Sequence, residues 1–78
     1  MEIKVLGSGC ANCKRLFQLV EIAVKDLKVK ADLHYVTDMM EIAESGLLKT
    51  PGLIINHKIV SYGRVPSLEE VKELILKN

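Results

Sequence analysis

Ile3-Lys4-Val5-Leu6-Gly7-Ser8-Gly9-Cys10-Ala11-Asn12-Cys13 holds the deciding pattern: a strand-like run, a glycine-rich break, and two cysteines three residues apart. Downstream, Leu16, Phe17, Val20, Ala23, Val24 and Leu27 recur at helical spacing, with Lys14, Arg15, Gln18, Glu21, Lys25 and Asp26 largely on the other side. The pattern predicts a helix of about four turns, with the cysteines at its start. Three residues apart there, the two sulfurs share one face, and a disulfide or a shared metal is within reach of both. A helix start also carries partial positive charge and unpaired N–H groups, which favour a thiolate over a thiol.

The rest of the chain continues in alternation. Ala31-Asp32-Leu33-His34-Tyr35-Val36 reads as a strand with one wetter face. Asp38 is placed to cap a shorter helix, Met39 to Ser45, which Gly46 ends. Met39 and Met40 are adjacent, so at most one of them is expected in the core, with the other near the cysteine end. After Thr50-Pro51, Leu53-Ile54-Ile55 suits a strand buried on both faces, and Ile59-Val60-Ser61-Tyr62 a second strand. Asn56-His57 between them predicts a tight hairpin turn, without the more favourable Asn-Gly. Gly63-Arg64-Val65-Pro66 breaks the sheet. Ser67 with Glu70 forms a capping-box signature, and Leu68, Val71, Leu74 and Ile75 supply the last helix's buried stripe.

The order is β-α-β-α-β-β-α. Its first half implies a parallel βαβ unit with a right-handed crossover, and the hairpin adds an antiparallel pair. The expected fold is therefore a single α/β domain over residues 1–78, a four-stranded mixed sheet with helices on both faces.

Composition narrows the function. With 49% hydrophobic residues but no Trp and one Phe, the core must be aliphatic. A formal charge of +1 supplies no basic stripe, so nucleic acid is not an expected partner. No apolar run approaches the ~20 residues of a membrane span, and no basic-then-apolar leader opens the chain, so a cytoplasmic protein is expected. A reducing compartment does not favour permanent bridges, and so short a loop restrains the unfolded chain little, which argues against a structural staple.

With Cys10-Ala11-Asn12-Cys13 after the first strand and Thr50-Pro51 just before the third, the chain resembles the thioredoxin and glutaredoxin superfamily, and in particular its small redox-active disulfide proteins. The resemblance runs over essentially the whole chain. It implies a thiol–disulfide oxidoreductase in which Cys10 is the attacking thiol and Cys13 the resolving one. It also implies that Pro51 is cis and faces the cysteines, and that Thr50 offers its backbone to an extended substrate. Gly9, Ala11, Asn12, Lys14 and Gly63 are the expected supporting residues. The implied partners are protein disulfide or dithiol substrates and an upstream reductase, acting with a monomer and needing no cofactor. Three features depart from ordinary thioredoxins. Gly9 stands where an aromatic precedes the first cysteine, Ala11-Asn12 replaces Gly-Pro, and an ungapped match puts Lys4 in the place of the buried acid. Gly63 alone stands where glutaredoxins carry a Gly-Gly pair.

Lys14 and Arg15 in the first turn oppose the helix dipole by roughly 0.3 to 1 kcal/mol each, and an anionic sulfur offsets this; the plain alternative is a solvated face of good helix formers. His34 reads as a strand-face residue and His57 as a turn residue, each more simply than as a metal ligand or general base. The rival function is soft-metal binding, because Gly9-Cys10-Ala11-Asn12-Cys13 also resembles the loop of heavy-metal-associated domains, whose thiolates suit Cu(I) or Zn(II). Those domains run β-α-β-β-α-β, an order this chain does not share. Structural zinc would want four ligands, which two cysteines and two distant histidines supply poorly. A third reading, an inactive binding module of the same fold, is disfavoured by the presence of both cysteines.

Overall fold

A computed structural model describes all residues, 1–78. Seven elements follow in the expected order: β1 (Glu2–Leu6), α1 (Ala11–Leu27), β2 (Asp32–Val36), α2 (Met39–Glu44), β3 (Gly52–Ile55), β4 (Lys58–Tyr62) and α3 (Leu68–Lys77). The strands lie in the order β2-β1-β3-β4, so the cysteine-bearing strand is central. β1 runs parallel to β2 with Leu6 beside Val36, and antiparallel to β3 with Leu6 beside Gly52. β3 and β4 form the antiparallel hairpin, with a bulge at Leu53/Ile54. Asn56 and His57 both take positive φ, 49° and 68°, as the tight turn requires.

Strand alternation divides the interior in two. Ile3, Val5, Leu53 and Ile55 point to one face and pack with Leu16, Val20 and Ala23 of α1 and with Val71 and Ile75 of α3. Phe17 stacks on Tyr35 at that layer's β2 side, centroids 5.0 Å apart. Lys72 binds Asp26 at 3.0 Å and ties α3 to α1. The opposite face is thin: Leu6, Ile42 and Ile54 form a small cluster with Val36 and Leu47 against it. Two layers of helix, two on one side and one on the other, therefore enclose the sheet, and β3 is buried on both faces.

Local signals account for the ends. Asp38 accepts from the Met40 N–H at 3.1 Å and starts α2. The helix stops at Glu44, one residue earlier than its sequence pattern suggests, because Ser45 caps it and turns its hydroxyl onto the Ile42 carbonyl. So short a helix buries only Ile42. Both Met39 and Met40 are exposed, within the expectation that at most one of them enters the core. Ser67 accepts from the Glu70 N–H at 3.2 Å, the first half of the capping box. The return half is not made, since the Glu70 carboxylate is engaged by the Arg64 guanidinium.

Candidate active site

β1 ends at Leu6, and the Gly7 N–H still reaches the Val36 carbonyl at 3.0 Å, carrying the ladder one residue past the strand. Gly9 then adopts φ 89°, a left-handed conformation that favours glycine, and swings the chain from strand into helix. Cys10 is the N-cap of α1. Its Sγ accepts from the Cys13 N–H at 3.1 Å, and its carbonyl accepts from the Lys14 N–H at 3.0 Å. No acidic residue lies in the first turn, while Lys14 and Arg15 are exposed there.

The two cysteines are joined in a disulfide with Cα atoms 5.0 Å apart. They differ sharply in environment. Cys10 is exposed at the helix end, whereas Cys13 is fully buried at the top of the stripe that continues through Leu16 and Val20. Ala11 and Asn12 between them are exposed. Asn12 and Arg15 border a shallow depression of about 400 Å³ with Val65, Pro66 and Ser67.

The Thr50–Pro51 bond is cis. Because Leu6 pairs with Gly52, Pro51 lies one step further along, abreast of Gly7 and at the cysteine end of the sheet. Pro51 is buried and Thr50 exposed. Gly63, at φ 74°, donates its N–H to the Pro51 carbonyl at 2.9 Å, so it fastens the end of β4 to the proline loop. The Lys49 side chain lies over Gly63, where a Cβ would stand 3.4 Å from it.

The histidines lie elsewhere. His34 pairs in register with Lys4, and His57 faces Glu2 at 3.6 Å at the far end of β1. Lys4, which stands in the place of the buried acid of ordinary thioredoxins, is partly exposed on the α2 face and meets Glu41 at 3.6 Å. Glu2, Lys4, His34 and Glu41 line a cleft of about 500 Å³ with Asp38 and Val36, and neither cysteine borders it. The cysteines thus open on a shallow surface rather than a pocket, a shape that suits an extended polypeptide.

One residue of the site escapes sequence reasoning. Gly7 reads as half of a turn, yet only Gly9 of the pair has positive φ. What Gly7 supplies is room, because a Cβ there would stand 2.8 Å from Cys13 Cβ and closer still to its Sγ. No local signal in the sequence marks such a contact.

A dithiol–disulfide pair at a helix start, beside a cis proline on a β-α-β-α-β-β-α scaffold, defines a thiol–disulfide oxidoreductase of thioredoxin-like fold. The chain belongs to the thioredoxin family, whose thioredoxin domain model matches residues 1–76. It is 39% identical over 75 residues to a thioredoxin of Methanothermobacter thermautotrophicus, covering 96% of this chain and 97% of that one. It is 41% identical over 71 residues to a thioredoxin of Methanocaldococcus jannaschii, covering 91% and 81%. Among solved structures, thioredoxin 1 from the thermophilic eubacterium Thermosipho africanus superposes with a TM-score of 0.67 at 20% identity, over 99% of this chain and 92% of that one, and corroborates the fold. The soft-metal reading gains nothing from these relatives, and no third donor joins the two sulfurs in a cluster.

Proposed function

We propose that Cys10 is the nucleophile and Cys13 the resolving thiol of a protein-disulfide reductase couple. The observation that carries this is the asymmetry of the pair: one sulfur exposed at the N-cap, the other wholly buried behind it. In the reduced protein the Cys10 thiolate, held by the Cys13 N–H and the helix end, attacks one sulfur of a substrate disulfide. The substrate S–S bond breaks, a mixed disulfide forms through Cys10, and the departing substrate thiolate takes a proton. Cys13 then gives up its proton and attacks Cys10 Sγ, expelling the second substrate thiol and leaving the Cys10–Cys13 disulfide. Two electrons have passed to the substrate, and a dithiol reductase upstream returns them. Run backwards, the same steps oxidise a dithiol, with direction set by the partners' potentials.

Thr50 and Pro51 form the substrate-facing wall. Thr50 is exposed next to Pro51 at the cysteine end of the sheet, and Pro51 has no N–H with which to close the edge, so an extended segment can pair with the Thr50 backbone as an added strand. Gly9 shapes the loop, Gly63 braces the proline, and Lys14 adds positive charge near the thiolate, while Ala11 and Asn12 supply an open rim. The acting species is a cytoplasmic monomer, its partners protein disulfides and their reductase.

Cys13→Ser should trap mixed disulfides through residue 10, and Cys10→Ser should trap none, read by intact mass after incubation with an oxidised protein substrate. Equal trapping by both variants would reject the assignment of roles.

A further inference from the structure

We propose that Gly7 is the seat of the resolving sulfur, a positioning residue that decides how deeply Cys13 is held and how stable the disulfide is. This rests on the division of roles just given. The observation is spatial: among atoms near a Cβ at residue 7, the nearest are Cys13 Sγ and then Cys13 Cβ, the latter at 2.8 Å. No ordinary contact is that short, so any side chain at residue 7 requires the sulfur or the backbone to move.

The backbone has little freedom to move. The Gly7 N–H is bonded to the Val36 carbonyl at 3.0 Å, at the end of a strand paired on both sides. Across from it, the first turn of α1 is held by the Lys14–Cys10 hydrogen bond and by Leu16, fully buried one turn on. The contact with Cys13 Cβ is common to both redox forms, whereas the closer contact with Sγ can be relieved by rotation of the Cys13 side chain. A helical residue has two open χ1 wells, and a free thiol can occupy either. In the disulfide, Sγ is bonded to Cys10 and its place is fixed. Filling residue 7 therefore penalises the oxidised form more than the reduced one, and in the reduced form it drives Cys13 Sγ away from the sheet.

Gly7 thereby does two things. It leaves the disulfide unopposed, which keeps the couple reducing, and it keeps Cys13 out of reach of everything except Cys10. A glycine serving only backbone conformation would do neither. Gly7 lacks the positive φ of Gly9, Gly46 and Gly63, so its requirement is for space.

The test is Gly7→Ala, equilibrated in glutathione buffers, where two glutathione thiols reduce the Cys10–Cys13 bond to two protein thiols and emerge as one glutathione disulfide. The equilibrium is expected to move toward the dithiol by about tenfold, equivalent to ~30 mV for a two-electron couple. Iodoacetamide should label Cys13 of the reduced variant faster than in the parent, with Cys10 unchanged. Gly46→Ala, strained by its φ of 84° but with nothing within 4 Å of the added carbon, should lose stability without shifting the equilibrium. A folded Gly7→Ala whose equilibrium and Cys13 labelling match the parent's, or whose equilibrium moves toward the disulfide, overturns the proposal. If Gly7→Ala does not fold, Gly7→Ala with Cys13→Gly should, because both obstructing atoms, the Cys13 Sγ and Cβ, are then gone; continued failure to fold also overturns it. Equal labelling of both cysteines in the parent would instead sink the division of roles, while the shift in equilibrium would still report on Gly7.

Discussion

Reducing the Cys10–Cys13 bond should lower the melting temperature, by an amount the loop length fixes. The bridge spans a sequence separation of 3 and so closes a loop of four residues. On the chain-entropy model such a loop restrains the unfolded state by about 2 kcal/mol, against roughly 3 kcal/mol for fifteen residues. Reduction recovers part of this. The freed Cys10 sulfur still caps the Cys13 N–H, and as an anion at a helix start it contributes about 0.3–1 kcal/mol. The net loss is about 1–1.5 kcal/mol, which in a domain of this size lowers the melting temperature by about 4–12 °C. Far-UV circular dichroism of the oxidised protein, and of the same protein in a phosphine reductant, measures it. Cys10→Ser, which has no bridge, should melt close to the reduced form. A reduced protein melting at or above the oxidised one would refute the reasoning, since the dithiol would then hold native contacts larger than the entropy of a four-residue loop.

Gly52→Ala should destabilise by about 1–3 kcal/mol in urea, because the added carbon falls on the Leu47 side chain that packs the thin α2-side cluster. Leu47→Ala in the same chain should recover part of the loss, and strict additivity would contradict the contact. His57→Gly should stabilise by about 0.5–1 kcal/mol, since glycine takes the positive φ of the hairpin turn without a Cβ penalty and the exposed pair to Glu2 contributes little; a lower urea midpoint would count against it. Glu70 is held below the usual carboxylate range, first by its hydrogen bond from Arg64 and then by that residue's charge. A depressed folded value stabilises above the unfolded carboxylate pKa and is lost as pH falls through the folded one. The gap in urea midpoint between the parent and Arg64→Gln should therefore be small, salt-sensitive and present at about pH 6, and should close as pH falls below the usual carboxylate range. A gap that widens on acidification would reverse the sign.

Most of the scaffold was legible because its signals are local or periodic. The α1 stripe from Leu16 to Leu27, the caps at Asp38 and Ser67, and the Asn56-His57 turn each follow from a few neighbouring residues. The cysteine pair was legible for the same reason, being one motif at one junction. What escaped depends on contacts between distant residues. Glu70 turns from the helix end to Arg64 because a guanidinium lies within reach only after β4 has turned. Met39 and Met40 are both exposed because α2 is too short to bury more than Ile42, and the hydrophobic pattern does not report how little of the sheet it covers. Gly7 and Gly52 read as turn or strand-start glycines, yet each is a place where another side chain rests, the Cys13 sulfur on one and Leu47 on the other.

The central place of β1 has a dynamic corollary. Its ladder with β2 on one side and β3 on the other gives its amides partners throughout, and its Ile3 and Val5 side chains lie at the bottom of the main core. Such hydrogens leave for deuterium only when the whole domain opens. The loop from Leu48 to Thr50 is exposed along its length and is joined to the rest near the Gly63–Pro51 hydrogen bond, so its hydrogens leave through small local fluctuations. The two walls of the site therefore keep different clocks. The strand that leads to the sulfurs is the slowest part of the molecule and the loop proposed to meet the substrate one of the fastest, so on that reading the loop can adjust to one partner after another while the sulfur–sulfur distance remains the same for all of them.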